Sequence, residues 1–195
     1  MLGKAPCWLL VFLSMTVCSA QEKPPSRLVL QVDEKSSGPF LGQRFFSCLR
    51  LYSDGRVLYA SRRNSPVSTV DKATGKESRS EKATSVEDRL EDVDIGELSS
   101  FLQSKAVIRI SDKYPPPHRP IDYFDEVSVT IIAPNGQTKR ISTREFYVAS
   151  LEEKSRYPSS LIILMDKIDE IEKQAVDRGQ PVDMPEDCKL KPTAK

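Results

Sequence analysis

The side chains of this chain whose types could carry chemistry are Cys48, Cys188, His118, Asp122, Asp125 and Glu126. Paired carboxylates such as Asp122, Asp125 and Glu126 can do acid–base work or hold a hard cation. Calcium loops alternate several oxygen ligands with a glycine, and no such glycine occurs here. The cluster therefore reads as hydrated charge ahead of a strand. His118 is the only histidine, and it stands between prolines in YPPPHRP. A catalytic imidazole needs a nucleophile and an orienting acid brought to it in space; a proline-rich surface loop suits exposure instead. No G-x-S-x-G elbow and no phosphate-cradling glycine loop is present. Cys48 as a nucleophile would need an electropositive setting, which Arg50 and Arg63 could supply, and a nearby base. Cys48 and Cys188 with one histidine, without ligand spacing, make no metal site, and no cofactor is expected.

The compartment decides how the cysteines are read. Lys4 is followed by an apolar run, Cys7 to Val17, that is too short to span a bilayer. Cys18-Ser19-Ala20 then supplies small residues, so residues 1–20 read as a secretory signal peptide cut after Ala20. A lipid anchor at Cys18 is disfavoured by Val17 just before it. No membrane span is expected after cleavage. In an exported, oxidising setting the two remaining cysteines favour a Cys48–Cys188 disulfide. Sequence alone does not bring their Cα atoms within reach. Without Lys4 the chain has 28 basic and 28 acidic residues. That balance selects neither nucleic acid nor anionic membrane by sign.

The elements that must position these groups centre on Arg44 to Ser61, RFFSCLRLYSDGRVLYAS. Asp54-Gly55 between alternating apolar residues signals a hairpin with a type I′ turn. That turn pairs Ser53 with Arg56, Tyr52 with Val57, Leu51 with Leu58 and Leu49 with Ala60. Phe45, Leu49, Leu51, Leu58 and Ala60 would share the core side. Phe46, Cys48, Arg50, Tyr52, Val57 and Tyr59 would share the other. On it Phe46, Arg50, Tyr52 and Tyr59 form a candidate binding surface, with Arg50 stacked on Tyr59.

Elsewhere, residues 21–26 are a disordered lead-in, and Arg27 to Asp33 alternates with period two as a strand. Residues 62–88 form a long polar insertion, with a small exposed hairpin around Gly75. Asp94 and Glu97 suggest a capping box for an amphipathic helix over Ile95 to Lys105. Tyr114 to Pro120 is a stiff polyproline connector. Asp125 to Ala133 and Gln137 to Ser142 flank Pro134-Asn135-Gly136 as a second hairpin. Phe146 to Ser155 is ambiguous. Leu161, Leu164, Ile168, Ile171 and Ala175 repeat on one face of a helix over Pro158 to Val176. Residues 180–195 form a tail with little to bury.

The combination LRLYSDGRVLY, DIGELSSFLQS, VSVTIIAPNGQTKRI and YPSSLIILMDKIDEIE resembles a loose group of uncharacterised secreted bacterial α+β domains. The segment VDKATGKE is similar to a phrase found in PepSY-type domains. The resemblance implies a sheet-and-helix scaffold and transfers no catalytic residue.

These readings converge on one α+β domain over residues 27–179, an antiparallel sheet of about five strands with two helices on one face. The tail would cover the other face through the disulfide. The leading functional expectation is an exported, secreted or periplasmic, non-catalytic binding or envelope-associated module with a protein or envelope partner. Alternatives are a hydrolase using Asp122, Asp125 and Glu126 or His118, and an inhibitor or accessory protein presenting residues 62–88 to a partner.

Overall fold

The computed structural model describes residues 25–37, 44–70, 77–116 and 124–188. The signal-peptide reading, His118 and Asp122 lie outside them. The chain order is β1 (Leu28–Ser37), β2 (Arg44–Tyr52), β3 (Arg56–Val70), β4 (Glu77–Arg89), α1 (Asp92–Leu102) and α2 (Lys105–Ile108). It continues with β5 (Lys113–Tyr114), β6 (Phe124–Ile132), β7 (Thr138–Arg144), α3 (Leu151–Lys154), α4 (Ser159–Arg178) and β8 (Gln180–Pro181). The strands form one sheet in the order β5-β7-β6-β1-β2-β3-β4-β8. The α+β class holds, but the expected sheet of about five antiparallel strands is corrected to eight mixed strands. The added pieces are short edges: β5 pairs parallel to β7, and β8 pairs antiparallel to β4. Among the described residues four α-helices replace the expected two, because a serine cap at Ser104 starts α2 and Ser150 starts α3.

The central turn is where sequence and structure part by one residue. Gly55 has φ 84°, whereas the only non-glycine with positive φ among the described residues is Glu145. Asp54 therefore does not take the left-handed conformation that a type I′ turn requires. The Gly55 amide donates to the Tyr52 carbonyl at 3.0 Å. This is a three-residue loop closed by a left-handed glycine. It pairs Leu51 with Val57, Arg50 with Leu58, Leu49 with Tyr59 and Cys48 with Ala60. A one-residue slip exchanges the faces of a strand. Val57 and Tyr59 consequently join Leu49 and Leu51 in the main core, while Ala60 joins Phe46, Cys48 and Cys188 in a second cluster.

The main core lies between the sheet and the helices. Leu30, Val32, Val129 and Ile141 meet Leu98, Leu102 and Val107 from α1 and α2, and Leu161, Leu164, Met165 and Ile168 from α4. The second face is covered by the tail. Cys188 is bonded to Cys48 across 140 residues, with Cα atoms 5.7 Å apart, and Met184 packs on the same cluster.

The strands expected to bracket Gly75 pair as the far end of the β3–β4 ladder, which runs from Arg56–Arg89 to Val70–Glu77 with an irregularity between Asn64 and Ser68, and Gly75 itself lies outside the described residues. One local expectation is revised. Helix α1 starts one turn earlier than the Asp94 signal, with Glu91 at its N-cap and no side-chain cap bond. The reciprocal capping box occurs instead at Ser150 and Glu153. There Ser150 Oγ accepts from the Glu153 amide at 3.3 Å, and the Glu153 carboxylate accepts from the Ser150 amide at 2.8 Å.

Gly55→Ala is expected to be costly, because its φ is left-handed and an added Cβ would sit 2.8 Å from the Leu90 carbonyl oxygen. A loss of roughly 1–3 kcal/mol in urea denaturation is expected; an unchanged midpoint would refute the turn geometry. In the chain-entropy model, the Cys48–Cys188 bond constrains the unfolded chain by about 5 kcal/mol. Cys188→Ser should lower the denaturation midpoint sharply, and reductant should do the same to the parent protein but not to the variant.

Candidate functional site

The expected aromatic surface on the central hairpin is not assembled. Phe46 is buried beneath the tail, and Tyr59 faces the helices on the opposite side of the sheet. Arg50 is 2% exposed. Its guanidinium donates to Asp33 Oδ1 at 2.8 Å and to the Val32 and Leu49 carbonyls at 3.0 and 2.9 Å. Arg50 thus pins β1 to β2 and does not stack on Tyr59. Tyr52 is half-buried and carries Arg56 over its ring at 4.1 Å. The register slip explains the dispersal: it turns Tyr59 toward the helices while Arg50 stays on the face of Cys48. The carboxylates are dispersed too. Asp125 faces the helices, whereas Glu126 faces the other side, where Ser142 Oγ donates to it at 3.4 Å. Adjacent strand residues point to opposite faces, so these two do not act on one substrate atom.

A different constellation emerges from the ladder. On the helix-facing side, the apolar row Ile141, Val129, Val32, Leu49, Tyr59 and Val86 is followed by a polar one. Strand pairing sets Thr143, Val127, Glu34, Ser47, Ser61 and Thr84 side by side across the sheet. One step further along the same face come Asp125, opposite Ser36, and Phe45, opposite Arg63. Helix α4 crosses above and contributes Asp169 and Glu172. The segment after β7 contributes Glu145 and Tyr147. The alternation that makes a good core strand thus continues past the core, and its inward positions become carboxylates and hydroxyls.

Several hydrogen bonds run through this recess. Ser47 Oγ donates to Glu34 Oε2 at 3.1 Å. The Tyr147 hydroxyl donates to Asp169 Oδ1 at 2.6 Å, and its amide donates to Asp125 Oδ2 at 3.3 Å. Asp125 is 1% exposed, as is Thr143. Asp125 Oδ1, Thr143 Oγ1 and the Tyr157 hydroxyl have no hydrogen-bond partner among the described residues. Glu145 holds φ 59°, a costly conformation for a residue with a side chain. Its amide donates to the Asp125 carbonyl at 2.8 Å, which ties the strained residue to the recess.

Electrostatics follow chiefly from burial. Burial, with the charges of Asp125 and Asp169, raises the Glu34 carboxyl to about 7. Burial, with Glu34 and Asp169, raises Glu172 to about 8. Burial raises Asp125, helped by Glu145, and burial raises Asp169 with help from Asp166. Burial and the Glu172 charge push the Tyr59 hydroxyl up to about 12. Burial and the bond to Asp169 raise Tyr147 as well. Arg63 and Lys154 are the cations that oppose these shifts. Each also lies over a ring, Arg63 on Phe45 and Lys154 on Phe146. No group of three or more metal-ligating side chains is placed to hold a metal ion among the described residues.

Sequence reasoning missed Glu34, Asp169 and Glu172. The first lies just past the predicted end of β1, and the others read as the outer face of an amphipathic helix. The available signal was that the Arg27–Asp33 alternation continues in phase to Glu34 and Ser36.

These shifts set a pH dependence of stability. Between about pH 4.5 and pH 8 the folded chain holds protons on Glu34 and Glu172 that the unfolded chain has released. Stability from these groups is therefore present at low pH, falls as pH rises through that window, and levels above it. Glu34→Gln and Glu172→Gln should flatten this decline, raising the thermal midpoint at about pH 8.5 relative to the parent and changing it little near pH 5. Equal shifts at both pH values would refute the burial argument.

No described helix is long and apolar enough to cross a membrane. No protein-family model matches the chain, and a search of curated proteins finds no match.

Proposed function

We propose that the protein is an exported, non-catalytic binding or envelope-associated module, and that its ligand site is the recess between the polar end of the sheet and α4. The observation that carries this reading is the set of polar atoms at Asp125, Thr143 and Tyr157 that are unbonded among the described residues, beside the carboxylates of Glu34 and Glu172, which form no ion pair among the described residues. Each buried, unbonded polar group costs roughly 1–3 kcal/mol. A fold that retains several of them in one place carries a cost that stability does not explain, and binding sites are where such costs concentrate. The tail strap over the opposite face supports the same reading. It closes one side of the sheet with a covalent bond, which suits an oxidising compartment, and it leaves the helix-facing recess as the working side.

The test uses the mature chain, beginning at Gln21, immobilised and exposed to an envelope extract of the producing cell. The parent should retain a component that the Glu34→Gln/Glu172→Gln double variant loses, while circular dichroism shows both folded alike. Equal retention by both, or substrate turnover abolished by Asp125→Asn, would overturn the reading.

A further inference from the structure

We propose that the outer margin of β7, with the cleft beside it, is a docking site for an extended acidic peptide that adds to the sheet at Thr138 and Arg140 and seats one large apolar side chain against Ile108. The site lies apart from the recess: β6 runs from Asp125, at the recess, to Ile131, which lines the cleft.

The Ser142 amide points away from β6 and donates to the Asp112 carbonyl at 2.9 Å. Residues of an antiparallel strand alternate between bonding their partner and facing away from it. Arg140 and Thr138 share the parity of Ser142 in the β6–β7 ladder, so their amides and carbonyls also point outward. β5 covers β7 only at Ser142 and Thr143. Thr138 and Arg140 therefore border the sheet with no strand beside them among the described residues. A margin of this kind takes up an extended peptide through main-chain hydrogen bonds, while pockets for alternate side chains select its sequence.

Such a pocket is present, and its existence is independent of the hydrogen-bond pattern. A cleft of about 690 Å³ opens between α2 and the β6–β7 turn and is bordered by Thr138 and Lys139. The buried Leu102 and Ile131 line it, together with Ala133, Pro134 and Ile108. Ile108 is 58% exposed, so its apolar surface is available to a partner. Lys139 lies on the helix side of the sheet with Ile141. A peptide residue set opposite Lys139 sends its side chain to that same side, which is where the cleft lies.

Charge selects the sign of the partner. The two segments that flank the cleft, residues 102–113 and 131–140, hold five cations, Lys105, Arg109, Lys113, Lys139 and Arg140, against one anion, Asp112, in a chain whose net charge is only +1. Lys105 precedes Ile108 by three residues on α2 and shares its side of the helix. Lys139 is paired with Asp112, whose side chain is 74% exposed. Acidic side chains on either side of the apolar one would meet Lys105 and Lys139, the latter in competition with Asp112. A free amphiphilic acid would match the cleft and the charge but would leave the outward amides and carbonyls unused; a peptide uses all three features.

The experiment follows backbone amides of the isotope-labelled mature protein by NMR. The probe is a heptapeptide blocked at both ends, a central leucine flanked by alternating valine and aspartate. Its controls are the same peptide with lysine for aspartate, the same peptide N-methylated at alternate amides, and decanoate. In the free protein the Thr138 and Arg140 amides should exchange rapidly with solvent, and the Ser142 amide slowly. The acidic peptide should bind saturably, more weakly as salt is added, and slow exchange at Thr138 and Arg140 roughly tenfold or more. Ile108→Asp should weaken binding at least about tenfold. Asp112→Ala, which frees Lys139, should tighten it by about threefold. Thr138 and Arg140 amides already protected in the free protein, whether by self-association or by another part of the chain, overturn the proposal. So does equal binding of the lysine or N-methylated peptide, or decanoate bound in preference to the peptide. If Ile108→Asp fails to fold, the exchange pattern of the parent and the response of Asp112→Ala still decide it.

Discussion

The conformation of one glycine decides which side chains this protein can use. Gly55 alone carries the left-handed φ that closes the β2–β3 loop, with the Leu90 carbonyl against its Cα and the Leu90 amide bonded to the Gly55 carbonyl at 2.9 Å. Because side chains alternate with period two, this loop length sends Val57 and Tyr59 to the helices and Leu58 and Ala60 to the tail. The alternative two-residue loop would reverse that choice. Tyr59 would leave the recess and Ala60 would leave the site where Cys188 docks. The core, the strap and the recess thus share one geometric origin.

What could be read directly was whatever depends on local pattern. The β6–β7 hairpin around Gly136 and the long α4 helix follow from alternation and from a 3.6-residue repeat, and both stand close to their expected limits. The pairing of Cys48 with Cys188 was legible from the count of cysteines left after the expected signal cleavage. The register was not, because Asp-Gly serves both the two-residue and the three-residue loop, and the choice is made by packing of Leu90 against Gly55. Likewise, the serines and threonines of β3 and β4 look like loop residues by composition. They form strands because the ladder from Val57 to Val86 is already in place and extends by one bonded pair at a time. The recess was invisible for a related reason. Its members come from distant segments, and each has an ordinary local explanation.

The recess and the strap make opposite use of burial. On the tail side, the charge of Arg50 is met by Asp33 and two carbonyls, so its burial strengthens the link between β1 and β2. On the helix side, carboxylates are brought together with hydroxyls and with few cations, so burial works against ionisation. A single sheet therefore separates a satisfied polar cluster from an unsatisfied one, and the distinction is set by whether complementary charge was included.

The last strand has a consequence for how copies of the protein meet. β8 covers β4 only at Val86 and Glu87, with one further bond from the Val182 amide to the Ser85 carbonyl. Beyond that point β4 borders the sheet without a neighbour among the described residues. Such a margin invites another chain to add in register and grow into a fibre. Its sequence toward the tip, ESRSEK, alternates acids and bases and contains no apolar residue. Stacking identical strands in parallel register would set like charges side by side, a deterrent to self-assembly written into the sequence of this border.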